Sequence, residues 1–138
     1  MLILDTNVVS ELMREHPRSE VLAWIDRQLT DDLYVTTVTE AEIRTGIAIL
    51  PEETRRRGLT AAAAHAFEVL FAERVLPFDS DAAQAFAAIA ATRRSVGHPI
   101  SQADCQIAAI ARSVGASIAT RNVSDFEGCG IDVVNPEN

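Results

Sequence analysis

Short strand-like runs alternating with helical segments constrain this chain more than any other feature. Strands joined through helices pair in parallel and are covered on both faces. Met1 to Leu4 reads as a short buried strand ending in Asp5-Thr6-Asn7, after which Val8, Val9, Leu12 and Met13 recur at helical spacing. A loop at His16-Pro17-Arg18-Ser19 precedes a second helix with Val21, Leu22, Ile25 and Leu29 on one face. Tyr34 to Thr37 is β-branched and strand-like. Thr39 to Leu50 reads as a helix stopped by Pro51. Glu52 to Arg57 and Leu59 to Glu73 form two helices or one bent one. Val75 and Leu76 hold a short strand, and Asp79 or Ser80 caps an alanine-rich helix running to about Ser95. Ser101 opens a further helix that ends before Gly115. Ala116 to Thr120 and Ile131 to Val134 supply the last two strands.

The length of 138 residues suits one domain, 1–138, with a genuine core. Only four apolar residues precede Asp5, with no basic segment in front, unlike a secretion signal. The longest apolar stretch, around Ala82 to Ala91, is too short to cross a bilayer. A soluble cytoplasmic protein with no membrane partner is expected. Cys105 and Cys129 lack CxxC spacing and a nearby histidine pair, which argues against zinc and for reduced, buried thiols. The net charge of −8 argues against a general nucleic-acid binder, although an acidic site would itself supply part of that charge. All 12 basic residues are arginine, which excludes a P-loop lysine and Schiff-base chemistry.

Four acids stand at strand ends or helix starts: Asp5, Glu42, Asp104 and Asp125. Ligands of parallel α/β sheets bind at the carboxyl ends of the strands. Carboxylates converging there repel one another unless a divalent cation lies between them. Each acid also has an ordinary reading. Asp5 can cap the following helix. Thr39-Glu40-Ala41-Glu42 and Ser101-Gln102-Ala103-Asp104 both match a capping box. Asp125 alone reads as a solvated loop residue. The helix dipole keeps an acid in a first turn ionised and ready for a cation.

Together these segments resemble the PIN-domain ribonucleases, and within them the VapC-type, FitB-like toxins of bacterial toxin–antitoxin pairs. The resemblance is carried by Leu2-Ile3-Leu4-Asp5-Thr6-Asn7-Val8-Val9-Ser10-Glu11 and by Thr39-Glu40-Ala41-Glu42-Ile43-Arg44-Thr45-Gly46. Ile100-Ser101-Gln102-Ala103-Asp104-Cys105-Gln106-Ile107-Ala108-Ala109 and Ala119-Thr120-Arg121-Asn122-Val123-Ser124-Asp125-Phe126 complete it, in order along the whole chain. It implies a three-layer α/β/α sandwich around a mostly parallel five-stranded sheet. It also implies Mg²⁺ or Mn²⁺ held by Asp5, Glu42 and Asp104, with Thr6, Asn7 and Thr120 in support. The fourth position departs from the family pattern: Asn122 stands where relatives often have Asp, and Asp125 follows three residues later. Both are candidates for it.

The activity implied is metal-dependent hydrolysis of RNA, with Asp5, Glu42, Asp104 and Asp125 as the catalytic acids. The partners implied are RNA, a small DNA-binding antitoxin and a second copy of the chain. Arg44, one residue pair beyond Glu42, is a candidate contact for substrate or antitoxin. Arg14, Arg18, Arg93, Arg94 and Arg121 are further candidates for RNA phosphates, and Phe67, Val69, Leu70 and Phe71 for a protein contact. The competing reading is a non-catalytic PIN-like module that binds RNA or protein.

Overall fold

The computed structural model describes residues 1–137. Five strands form one sheet in the order β3-β2-β1-β4-β5, every neighbouring pair parallel. They are β1 (Leu2–Leu4), β2 (Leu33–Thr36), β3 (Val75–Leu76), β4 (Ser117–Ala119) and β5 (Val133–Val134). The expectation of a mostly parallel sheet is thus met by one that is parallel throughout. The helices are α1 (Thr6–Leu12), α2 (Ser19–Asp26), α3 (Thr37–Ala48), α4 (Glu53–His65), α5 (Ser80–Ser95) and α6 (Gln102–Val114).

The alternation of side chains along each strand splits the core in two. Ile3 and Ile118 face one way, into a cluster with Ala82 and Ile89 of α5 and Cys105 and Ile107 to Ala111 of α6. Leu4, Val35 and Ala119 face the other way, against Val8 and Val9 of α1, Trp24 of α2, Ile43 and Ile47 of α3, and Ala63 of α4. A strand buried on both faces needs an unbroken apolar run, as β1 has. Both thiols are free and buried, as expected. Among the described residues no helix is long and apolar enough to cross a membrane.

Two local readings change and one open choice is decided. On α2 the inward residues are Val21, Trp24 and, in part, Ile25, while Leu22 is exposed and Leu29 lies beyond the helix end, exposed as well. Of the two alternatives for the segment from Glu52 to Glu73, the structure takes the single helix, which runs from Glu53 and loosens into a π-turn at Ala66–Leu70. Helix α3 begins two residues early, and its cap is Thr36, whose hydroxyl accepts the Thr39 N–H at 3.1 Å. Elsewhere the cap residues stand where expected: Asp79 accepts from Ala82 N, Ser101 accepts from Asp104 N, and Gly115 closes α6 with φ +70°.

Candidate acidic site at the carboxyl edge of the sheet

The chain runs outward from β1 to β3 on one side, then returns to build β4 and β5 on the other. The strand order therefore reverses at β1, and a crevice opens where β1 and β4 end. Asp5 is the first residue beyond β1, its N–H bonded to Ala119 O at 2.9 Å, and Thr120 is the first beyond β4. Both are buried.

Asp5 fills both roles weighed for it. Its Oδ1 accepts the Thr6 N–H at 2.8 Å, capping α1, and its Oδ2 accepts the Thr120 hydroxyl at 2.8 Å. Thr120 has no choice of direction. Its oxygen already accepts from Asn7 Nδ2 at 3.2 Å and from Asn122 N at 3.1 Å, so its one proton goes to Asp5. Asn7 is held in turn, its Oδ1 accepting from Arg121 N at 3.3 Å.

Glu42 reaches the same place from α3. The Thr6 hydroxyl donates to Glu42 Oε1 at 2.7 Å and lies 2.8 Å from the hydroxyl of Thr39, which is fully buried. Because the cap of α3 is Thr36, Glu42 lies in the second turn and has no capping partner. The capping-box reading of this acid fails on register. Asp104 does sit at the third position of α6, half-buried, with its N–H on Ser101 Oγ at 3.2 Å.

The electrostatics tie these groups together. Burial pushes the Asp5 carboxyl up to about 6, against the hydrogen bonds of Thr120 and Thr6, and the charges of Asp104 and Glu42 add to the rise. Asp104 is also raised, first by burial and then by Asp125 and Glu42, while Ser101 and Arg93 oppose the rise. Asp125 is exposed in a short 3₁₀ turn, Val123–Phe126, close enough for its charge to act on Asp104. Asn122 is exposed at the start of that turn, with its N–H committed to Thr120.

These donors are all oxygen and mostly anionic, the set a hard divalent cation takes. Among the described residues, no three His, Cys, Asp or Glu side chains stand close enough to enclose a metal ion directly. The expected cage of Asp5, Glu42 and Asp104 is therefore open in this structure. That openness suits Mg²⁺, which keeps several waters and needs only one or two carboxylates in direct contact.

The arginines sort differently from the expectation. Arg93 is buried, its guanidinium donating to the carbonyls of His98, Asp125 and Glu127 at 2.7–3.0 Å, so it braces the Asp125 turn and is closed to a ligand. Arg121 is paired with buried Glu11 at 3.2 Å and lies 2.8 Å from Glu137. Glu11 also holds Arg14 at 3.3 Å. Arg44 points away from Glu42: it pairs with Glu40 at 2.8 Å and lies 5.6 Å over the Phe67 ring. Phe67 is buried, whereas Val69 and Leu70 stay exposed.

Thr36, Glu11, the bracing role of Arg93 and the pairing of Thr39 with Thr6 in place of a capping role escaped the sequence reading. A signal existed for two of them. Glu11 follows Val8 by three residues and Arg93 follows Ile89 by four, so each continues the buried stripe of its helix.

Residues 2–127 match the PIN domain family. The VapC ribonuclease Y4jK of Sinorhizobium fredii is 43% identical over 136 residues, covering 99% of this chain and 97% of the relative. The toxin FitB of Neisseria gonorrhoeae is 37% identical over 136 residues, covering 99% and 98%. Among solved structures, a chain of FitAcB from Neisseria gonorrhoeae superposes with a TM-score of 0.93 at 37% identity, covering 99% of this chain and 98% of that one. A chain of FitAB bound to an IR36 DNA fragment superposes with the same score at 36% identity, covering 100% and 96%. A parallel sheet that reverses at β1, an acid placed at the reversal, and likeness running almost end to end agree: the chain belongs to the PIN-domain family.

Proposed function

We propose that this chain is a metal-dependent endoribonuclease and the toxin of a toxin–antitoxin pair, acting in the cytoplasm as a single domain. One observation carries the reading. Asp5, Glu42 and Asp104 raise or share a common negative field, yet among the described residues none of the three is paired with an arginine. Glu11, one helix away, has two such partners. Structural acids are neutralised from within, whereas these three are left for a cation from outside.

The residues fit Mg²⁺ or Mn²⁺. When bound, such an ion offsets the charge of a phosphodiester and lowers the pKa of water. Asp5 and Asp104 are the groups to hold it. Glu42, aimed by the Thr6 hydroxyl, either joins them or orients the attacking water. Thr120 and the Thr6 N–H fix both oxygens of Asp5, so little reorganisation is needed when the ion arrives. Asn7 and Asn122 set the direction of the Thr120 hydroxyl. For the fourth position Asp125 is favoured, since its charge acts on Asp104, and Asn122 supports through its main chain.

The relatives' names support the class of activity, a VapC ribonuclease and a toxin. The likeness to FitAB on DNA supports a DNA-binding antitoxin as partner; that this partner is small and that the chain pairs with a second copy of itself are part of the proposal. The test is cleavage of labelled cellular RNA with Mg²⁺, with Mn²⁺ and with EDTA, by the parent chain and by Asp5→Asn and Asp104→Asn. Discrete products that need metal and vanish in both variants are expected. Products surviving EDTA or both substitutions would overturn the assignment. Metal binding with no products from any RNA would favour the binding-module reading.

A further inference from the structure

We infer that the groove beginning at Glu42 and running between α1, α3 and α4 is the subsite for a nucleotide of single-stranded RNA flanking the scissile phosphate. This rests on the ribonuclease reading above and adds to it where the substrate lies.

The groove has a volume of about 290 Å³, and its inner end is formed by Thr6 and Glu42, two residues of the acidic site. Its floor is apolar, with Ile43, Ile47 and Leu59 contributing. Its outer rim carries Arg14 and Arg55. A second hollow of about 400 Å³ shares Met13, Arg14, Arg55 and Leu59 and extends the path outward. Read from the inside, the order is acid, apolar surface, cation. A nucleotide has that order in complement: a phosphate at the metal, a base that stacks on apolar surface, and the next phosphate.

Two features make this more than a crease between helices. Gly46 lies on the groove, one turn beyond Glu42 on the same face of α3. Glycine is a poor residue for a helix interior, and a Cβ built there meets nothing within 4 Å. No crowding in the free protein calls for it, and its effect is to keep the groove wide. The other feature is Arg55, which is exposed and has no carboxylate or carbonyl partner among the described residues. On a chain of net charge −8, a free cation at the mouth of an acidic site offsets the repulsion that an incoming phosphate would meet. Arg14 shares the rim with its side chain 63% exposed, but it is paired with Glu11 at 3.3 Å, so Arg55 is the cation left for a phosphate.

The experiment uses the full chain and a fluorescent pool of degenerate single-stranded RNA 20-mers. It measures cleavage kinetics in Mg²⁺ and binding by anisotropy, with Mn²⁺ affinity by calorimetry alongside. Gly46→Leu fills the groove, and we expect its KM and RNA dissociation constant to rise about tenfold or more, with Gly46→Ala between it and the parent. Arg55→Gln should weaken RNA binding and reduce the dependence of log affinity on log salt by about 0.7, the share of one phosphate on a single strand. Mn²⁺ affinity should stay at the parental value in each. Ala88→Leu, on the exposed side of α5, and Arg27→Gln, exposed at the end of α2, control for added bulk and lost charge and should leave RNA binding unchanged.

Gly46→Leu and Arg55→Gln behaving as the parent toward RNA, while Asp5→Asn is inactive, would overturn the subsite and leave the nuclease assignment standing. The same two variants losing only affinity for a protein partner would overturn it in favour of a protein groove. If the parent cleaves nothing, the nuclease reading fails. The anisotropy arm then decides the subsite alone: equal binding by Gly46→Leu and the parent overturns it, and selective loss sustains it.

Discussion

Thr120 shows how much one hydroxyl can settle. With both lone pairs occupied by Asn7 and Asn122, it must donate to Asp5, and Asp5 must accept. A Thr120→Val chain keeps the shape and loses the donor and the acceptor together. It is expected to lose about 1–3 kcal/mol of stability, because the Asn7 amide and the Asn122 N–H are left without an acceptor. Its Asp5 carboxyl should rise further above about 6, so the acid limb of the pH–rate profile moves to higher pH. Thr120→Ser keeps the hydroxyl and should resemble the parent in that profile. A parental profile for Thr120→Val would show that this bond does not govern Asp5. Asp5→Asn meets a related conflict: the Thr6 N–H and the Thr120 hydroxyl face different carboxylate oxygens, so in the amide one of these donors meets NH2 instead of an acceptor. The variant should be inactive without gaining all the stability that removal of a buried charge would suggest.

At the scale of the element, the caps decide which side chains are free for chemistry. Helix α3 starts from Thr36, so Thr39 and Glu42 turn inward to Thr6 instead of closing a capping box. Thr36→Ala should cost about 1 kcal/mol, read from urea unfolding. Gly115 ends α6 at φ +70°, a conformation costly for any residue with a Cβ, so Gly115→Ala should cost about 1 kcal/mol. Gly58 is the contrasting case, in the interior of α4 with open space where a Cβ would lie. Gly58→Ala should raise stability by about 0.5–1 kcal/mol, in the same unfolding assay. Opposite signs at the two glycines would be direct evidence that backbone angle, not composition, separates them.

Over the whole molecule, the acidic site opposes folding at neutral pH. The Asp5 carboxyl is about 6 folded against 3.8 as its ordinary value, so between those values the folded chain binds the extra proton. Stability from this group is therefore complete below about 3.8 and is lost as pH rises through about 6. The loss amounts to about 3 kcal/mol on conversion of the shift. Glu11 runs the other way. Burial pushes its carboxyl up, but the Arg18 N–H, Arg14 and Arg121 together hold it below the usual glutamate range. Its contribution is present at neutral pH and is lost only on acidification. A divalent cation at the site should reverse the Asp5 effect, so Mg²⁺ or Mn²⁺ should raise Tm more at pH 8 than at pH 5. Equal increments at both pH values would place the ion elsewhere on the chain.

Much of this architecture is local, and so the sequence by itself determined it. Five short apolar runs, each ended by polar residues and joined through helical spacing, can bury their backbones only as a parallel sheet covered on both faces. Asp79, Ser101 and Gly115 could be read as caps because capping depends on a few neighbouring residues. The four acids could be singled out by their place at strand and helix ends, and the ordered motifs around them resembled one family. The start of α3 could not be read, since Thr36 and Thr39 are equally good caps and only the packing of β2 chooses between them. Nor could the fate of the arginines. Arg93 is buried by carbonyls 32 and 34 residues away, and Arg121 is claimed by Glu11 from 110 residues away, while Arg55 is left facing the groove. Which charges neutralise one another and which remain for a ligand depends on distances through space, and only the tertiary structure sets those.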